Sequence, residues 1–146
     1  MAASLRIIAE LKNLEIVRHF VQEQISALQI DSDGVYDALL AVTEAMTNII
    51  AHGYQGKPGG IEIEVSREGN LLLVRLRDQA RPFDPTLAPA PDMALPLERR
   101  PFGKMGIHLM RRVMDKMVYQ AIPEGGNELT LVKYLPAPDN PQGGTA

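Results

Sequence analysis

Residues 38–54 read ALLAVTEAMTNIIAHGY, and this stretch decides the fold. With Val35 upstream, its Leu39, Val42, Met46, Ile49 and Ile50 keep the spacing of one helical stripe. Turning about 100° per residue from Glu44 puts Leu39, Val42 and Met46 on the far side. Glu44 and Asn48 stand one turn apart on the other face, close enough to act on one ligand. Alone, such a pair is more often the solvated face of an amphipathic helix. His52-Gly53-Tyr54 marks the stop, and Gly56 and Lys57-Pro58-Gly59-Gly60 lead into a turn.

Upstream, residues 4–9 (SLRIIA) suit a short strand, and Asn13 is placed to cap a helix carrying Leu14, Val17, Phe20, Val21, Ile25 and Leu28. That helix should stop near Ile30, with Asp31 or Ser32 capping the next. Downstream, residues 61–66 (IEIEVS) and 71–77 (LLLVRLR) alternate as two strands, joined by Arg67-Glu68-Gly69-Asn70 with the length and chemistry of a hairpin turn. Six of the chain's 11 prolines then fall between Pro82 and Pro101, which excludes a continuous helix or central strand and suggests a functional lid or a disordered segment. Helical spacing resumes at Gly106 with Ile107, Met110, Val113 and Met114. Residues 117–122 read as a strand, 123–127 as a turn and 129–135 as a last strand. The tail, 136–146, has the composition of an unstructured segment.

A chain of 146 residues can form one core without staples. Hydrophobic residues are 45% and charged residues 23%, ordinary for a globular chain, and the net charge of -3 gives no reason to expect nucleic-acid binding. There is no cysteine, so thiol nucleophiles, cysteine-ligated metals and disulfides are excluded. His19, His52 and His108 are too scattered for a zinc pattern. No apolar run spans a bilayer and no signal-peptide core is present, so the expected location is the cytoplasm, away from membranes.

Three further motifs bear on the Glu44–Asn48 pair. Asp78 ends the second hairpin strand and opens DQARPFDP; a carboxylate there can accept from an exocyclic amine, although a strand-ending Asp is common. Gly103-Lys104-Met105-Gly106 enters a helix, where backbone N–H groups and the helix dipole favour an anion. Thr130 offers a hydroxyl to a phosphate, or serves only β-propensity.

In this order, from about Leu5 to Leu135, the motifs resemble the GHKL (Bergerat) ATPase fold, and within it the small anti-sigma-factor serine/threonine kinases. The resemblance is strongest in EAMTNIIAHGY and GKMGIHLMRRVMD. It implies an α+β, two-layer sandwich: a mixed, mostly antiparallel sheet with helices on one face, in a single domain over 1–135 with an ATP lid and glycine turn at 82–105. It implies that Glu44 is the general base or orients the attacking group. Asn48 would hold Mg2+, Asp78 would read adenine, and Gly103, Lys104, Met105 and Gly106 would seat the phosphates of ATP. His52 would line the pocket, or simply cap the helix. The implied partners are a sigma factor and an anti-sigma-factor antagonist, with a homodimer allowed; Arg99-Arg100 and Arg111-Arg112 are surface candidates for contact.

Two positions depart from the family pattern. The loop usually reads Asp-x-Gly, and Ala80 stands third; if φ there is positive, alanine costs roughly 1 kcal/mol and its methyl crowds the base. Lys104 replaces a glycine and would either pair with a phosphate or crowd the cradle. These departures support the alternative of a weak or inactive, nucleotide-gated partner switch.

Overall fold

The computed structural model describes residues 2–87, 94–96 and 104–136. Five strands form one sheet in the order β1-β2-β3-β5-β4, where β1 is Ala2–Ile8, β2 Gly60–Glu68, β3 Leu71–Asp78, β4 Lys116–Ala121 and β5 Asn127–Tyr134. Every pairing is antiparallel, so the expected admixture of parallel strands is absent among the described residues. Helices α1 (Leu14–Ala27), α2 (Ser32–Asn48) and α3 (Lys104–Val113) complete the described elements of regular structure, apart from short turns.

The register explains the two layers. Leu5, Ile63, Leu76, Leu129 and Tyr119 lie across from one another on the face that takes the helices. Ile61, Ile63, Val65, Leu72, Val74, Leu76, Leu129 and Leu131 join Val17, Val21, Ile25, Val42 and Met46 in a single buried cluster. Each strand contributes alternate residues, as a sheet covered on one side requires. The other face carries charge in rows. Arg77 bonds Glu128 at 2.6 Å and Glu62 at 3.2 Å, Arg75 bonds Glu64 at 2.9 Å, and Arg6 pairs with Glu62. Thr130 pairs with Arg75 and Val118 on this outer face, turned away from the helices. The expected phosphate role for Thr130 is therefore corrected: period-two alternation carries its hydroxyl to the wrong side of the sheet.

Several local expectations hold with adjustments. Asp31 caps α2, its side chain accepting from the Gly34 N–H at 2.8 Å. Asn13 does not cap α1 with its side chain; it donates instead to the Ile8 carbonyl at 2.8 Å, after a short 3-10 turn over Leu11–Asn13. The buried face of α2 is wider than the Val/Leu/Met stripe, because Ala38, Ala41 and Ala45 are buried beside Val42 and Met46. After Asn48 the helix does not stop but widens into a π turn, Ile49–Gly53, closed by the Tyr54 N–H on the Ile49 carbonyl. Such turns recur at functional sites. At the far end, α3 starts two residues earlier than the sequence spacing predicts, at Lys104.

Candidate functional site

Glu44 and Asn48 project from α2 just before the π turn, and α3 passes them at its N-terminal end. The contact is close: a methyl on Gly106 would lie 2.5 Å from Glu44 Oε2 and 3.6 Å from its Cβ. A side chain at Gly106 would have to displace the Glu44 carboxylate, so glycine lets the first turn of α3 pack directly beside it. Asn48 lines the adjoining pocket, and its Nδ2 is buried without a hydrogen-bond partner among the described residues. A buried amide with an unmet group is costly, so the position suits a ligand that completes it. The oxygen and nitrogen of an Asn amide are interchangeable by rotation, so the same group can present an oxygen to a cation.

At the other end of the pocket, Asp78 is 5% exposed. Its Oδ1 accepts from the Ala80 N–H at 2.9 Å and from Asn127 Nδ2 at 2.9 Å. These bonds leave Oδ2 as the acceptor for an incoming donor. Burial pushes the Asp78 carboxyl above the ordinary range, and the bonds from Asn127 and Ala80 offset part of that rise. Asn127 does more than hold Asp78. Its Nδ2 also reaches the Arg81 carbonyl at 3.1 Å, while its Oδ1 accepts from the Phe83 N–H at 2.9 Å and the Tyr119 hydroxyl at 2.5 Å. One side chain thus fixes the adenine-reading candidate, the loop after it and strand β4.

Sequence reasoning missed Asn127 by assigning it to the turn and giving the last strand's polar role to Thr130. It is the first residue of β5 and lies directly across from Asp78. The available signal was Gly125-Gly126 before it. Gly126 has φ +110, and a methyl there would fall 2.1 Å from the Asp78 carbonyl oxygen. A backbone atom cannot yield as a side chain can, so glycine is required for β5 to begin against Asp78.

Ala80 also needs correction. It is not in the left-handed region, it is buried, and its N–H caps Asp78. The backbone penalty expected for a missing glycine does not arise. Its methyl packs toward Gly53, where a Cβ would lie 3.0 Å away, so the space appears on α2's π turn instead. Lys104 begins α3 and Met105 follows it within the helix, whereas Gly103 falls outside the described residues, as do Arg99 and Arg100. His52 sits half-buried in the π turn and is not among the residues lining the pocket. Arg111, expected as free surface, donates to the Pro85 and Thr86 carbonyls at 3.1 and 2.6 Å and ties the lid's root to α3.

The pocket between these ends holds about 40 Å³ and is walled by Asn48, Gly53, Asp78, Phe83, Met110 and Asn127, among others. Its wall joins a buried carboxylate and an amide to a mostly apolar slot, the make-up of a site for a flat polar ring. A profile of the histidine kinase-like ATPase domain matches residues 7–133. The chain belongs to that family. Among its relatives, the anti-sigma F factor of Clostridium kluyveri is 30% identical over 131 residues, covering 88% of this chain and 90% of that one. The anti-sigma F factor of Thermoanaerobacter sp. (strain X514) is 29% identical over 132 residues, covering 90% and 92%. The serine-protein kinase RsbW of Bacillus anthracis is 26% identical over 136 residues, covering 90% and 83%. These relatives place the chain in the anti-sigma-factor kinase group of the family. In structure it is similar, at a TM-score of 0.66 and 16% identity, to the RsbU and RsbW domains of a Mycobacterium tuberculosis protein. That alignment covers 94% of this chain and 33% of the other, and it supports the shared α+β fold. No described helix is long and apolar enough to cross a membrane.

Proposed function

We propose that this chain is an ATP-dependent serine/threonine protein kinase that phosphorylates an anti-sigma-factor antagonist and binds a sigma factor when the antagonist is withdrawn. The observation that carries the reading is the pocket that Asn48 and Asp78 both line, with Glu44 one turn before Asn48 on α2 and Gly106 close beside Glu44. The pocket has an acceptor for an exocyclic amine at Asp78, and near Asn48 lie a carboxylate and the N-terminal turn of α3. Asp78 Oδ2 would take the adenine amine, and the first turn of α3 would face the phosphates. Asn48 would hold magnesium. Its buried, unmatched amide fits a single oxygen ligand, and no group of three acidic, His or Cys side chains stands ready among the described residues to cage a metal alone. Magnesium commonly takes one or two protein oxygens and completes its shell with phosphates and water. When bound, it would neutralise charge on the transferring phosphate. Glu44 would accept the proton of the substrate hydroxyl as it attacks, the one acid–base step the transfer needs.

As it stands, the pocket is far below the roughly 300 Å³ of a typical ligand cleft. The Phe83 ring would rotate away to admit the base, while its N–H stays on Asn127 and α2 and β3 stay fixed. The reading of a silent partner switch rested on Ala80 and Lys104. The backbone at Ala80 gives it no support, and the Lys104 side chain lies outside what the structure describes. Transfer of labelled phosphate from MgATP to a purified antagonist tests the proposal, with Glu44→Ala alongside. Phosphorylation by the wild type and a deep loss in the variant are expected; equal transfer by both would remove Glu44 from its role.

A further inference from the structure

We propose that Lys133 and Asp37 are positioning residues that set the register of α3 against α2, and so hold Gly106 against Glu44. The inference rests on the reading of Glu44 as the base. Lys133 leaves β5 on the helix side and donates at once to Asp37 Oδ2 at 2.8 Å and to the Val113 carbonyl at 2.6 Å. Asp37 belongs to α2, and Val113 is the last residue of α3. One ammonium therefore pins both helices to the sheet, and it does so at the carbonyl end of α3, where a cation is favoured.

The spacing makes this pin informative. Seven residues separate Asp37 from Glu44 along α2, and seven separate Gly106 from Val113 along α3. The helices run in opposite directions, so the Lys133 pin and the Glu44–Gly106 contact are the two ends of one matched pair of two-turn segments, roughly 10 Å long. Between those ends the packing offers little to fix a register. The buried face of α2 includes Ala38, Ala41 and Ala45, and between Gly106 and Val113 that of α3 is Ile107 and Met110, with Met114 just past the helix end. Short methyl groups against adaptable methionines pack well at more than one offset. A polar peg with a carboxylate on one side and a helix-end carbonyl on the other has one geometry. Lys133 and Asp37 are each less than a third exposed, so water competes weakly for their bond.

The test uses Lys133→Met, which keeps the stem and removes the three donors, with Lys133→Arg and Asp37→Asn beside it. The first measurement needs no nucleotide: the amide resonance of Gly106, compared with that of Gly126 on the other side of the site. Lys133→Met should shift Gly106 and leave Gly126 in place, and Lys133→Arg should restore much of the wild-type position. The second measurement separates seating from chemistry. A misplacement near 1 Å lowers transfer about 100-fold, while the affinity for adenosine, which has no phosphates to meet α3, should stay within about twofold because Asp78 is untouched. An unmoved Gly106 in both Lys133→Met and Asp37→Asn overturns the register claim. A moved Gly106 with unchanged transfer, or with adenosine affinity falling in step, overturns the catalytic consequence. If the wild type transfers no phosphate, the kinase reading fails while the resonance still decides the register.

Discussion

The surroundings of Asp78 and of Glu44 are built on opposite plans. At the Asp78 end almost every polar group has its partner inside the protein: Asp78, Asn127, Tyr119, Ala80 and Phe83 close a network in which one Asn makes four bonds of 3.1 Å or less. At the Glu44 end the described bonds are sparse, Asn48 Nδ2 has none, and position depends on two helices and a missing methyl. A saturated network is rigid before any ligand arrives, and damage to it is felt by the whole fold. An unsaturated cluster is completed by its ligand, so damage there is felt in activity. The comparison yields a rule that can be broken: substitutions at the Glu44 end should change rate more than stability, and those at the Asp78 end should change stability, affinity or both.

The largest effect is expected from Glu44→Ala. Loss of a general base costs typically 10²–10⁴-fold in rate, with melting temperature and ADP affinity close to wild type, as single-turnover phosphate transfer and calorimetry would record. Gly126→Ala should do the reverse. Its added methyl meets the Asp78 carbonyl at a positive φ, and denaturant unfolding should show a loss of roughly 2–4 kcal/mol. If Gly126→Ala unfolds like wild type, the close approach of β5 to Asp78 is wrong, and with it the rigid half of the comparison.

What the sequence made legible follows the same division. The hairpin, α1, α2 and the Glu44–Asn48 pair were readable because period and spacing are local, and a helix face depends on nothing outside its own stretch. The outer-face position of Thr130 was not, since a strand's side is set by its neighbours' register and a single boundary shift reverses it. Asn127 was hidden for the same reason, two residues before the start assigned to β5. Ala80 misled differently: a glycine pattern implied a backbone conformation, while the space it needed was supplied by Gly53, far away in sequence and adjacent in the fold. The matched spacing of Asp37–Glu44 and Gly106–Val113 is visible in the sequence only once the helices are known to be antiparallel neighbours.

Asp78→Asn sharpens the comparison at its rigid end. The Asn127 and Ala80 donors can still reach Oδ1, so the network survives, but an amide N–H now faces the amine that Oδ2 would accept. ATP affinity should fall roughly 30-fold or more, since a buried donor would meet a donor. Stability should move the other way. Burial raises the carboxyl's pKa in the folded state, so the folded protein binds a proton more readily than the unfolded chain. The stabilisation from that proton is fully present below the ordinary Asp range and is lost as pH rises through the raised value. At neutral pH the buried charge is therefore a cost that Asp78→Asn removes. The variant should be the more stable protein at pH 7, and the difference should shrink as pH falls toward 4 in parallel denaturant titrations. A gap that widens toward acid would show that the hydrogen bonds, and not burial, govern Asp78.

The smallest effect should come from Tyr54→Phe, at the seam between the two ends. The Tyr54 ring lies against Gly59, where any side chain would collide with it. Its hydroxyl donates to the Gly60 carbonyl at 2.7 Å and accepts from the Gln79 N–H at 2.8 Å, one residue beyond Asp78. The hydroxyl thus ties the π turn after α2 to the loop that follows Asp78. Both bonds lie where water can replace them, which limits the loss to about 1 kcal/mol in stability. Phenylalanine keeps the ring packing, so what changes is the tether. If the tether only supports the fold, ATP and ADP affinities stay at wild-type values while the melting temperature falls. If it transmits strain from α2 to Asp78, both nucleotides weaken by a similar few-fold factor, because the base is held by the same contact in each. The first outcome is expected, since Asp78 keeps its bonds from Ala80 and Asn127 and its place in the sheet when the Gln79 N–H is released.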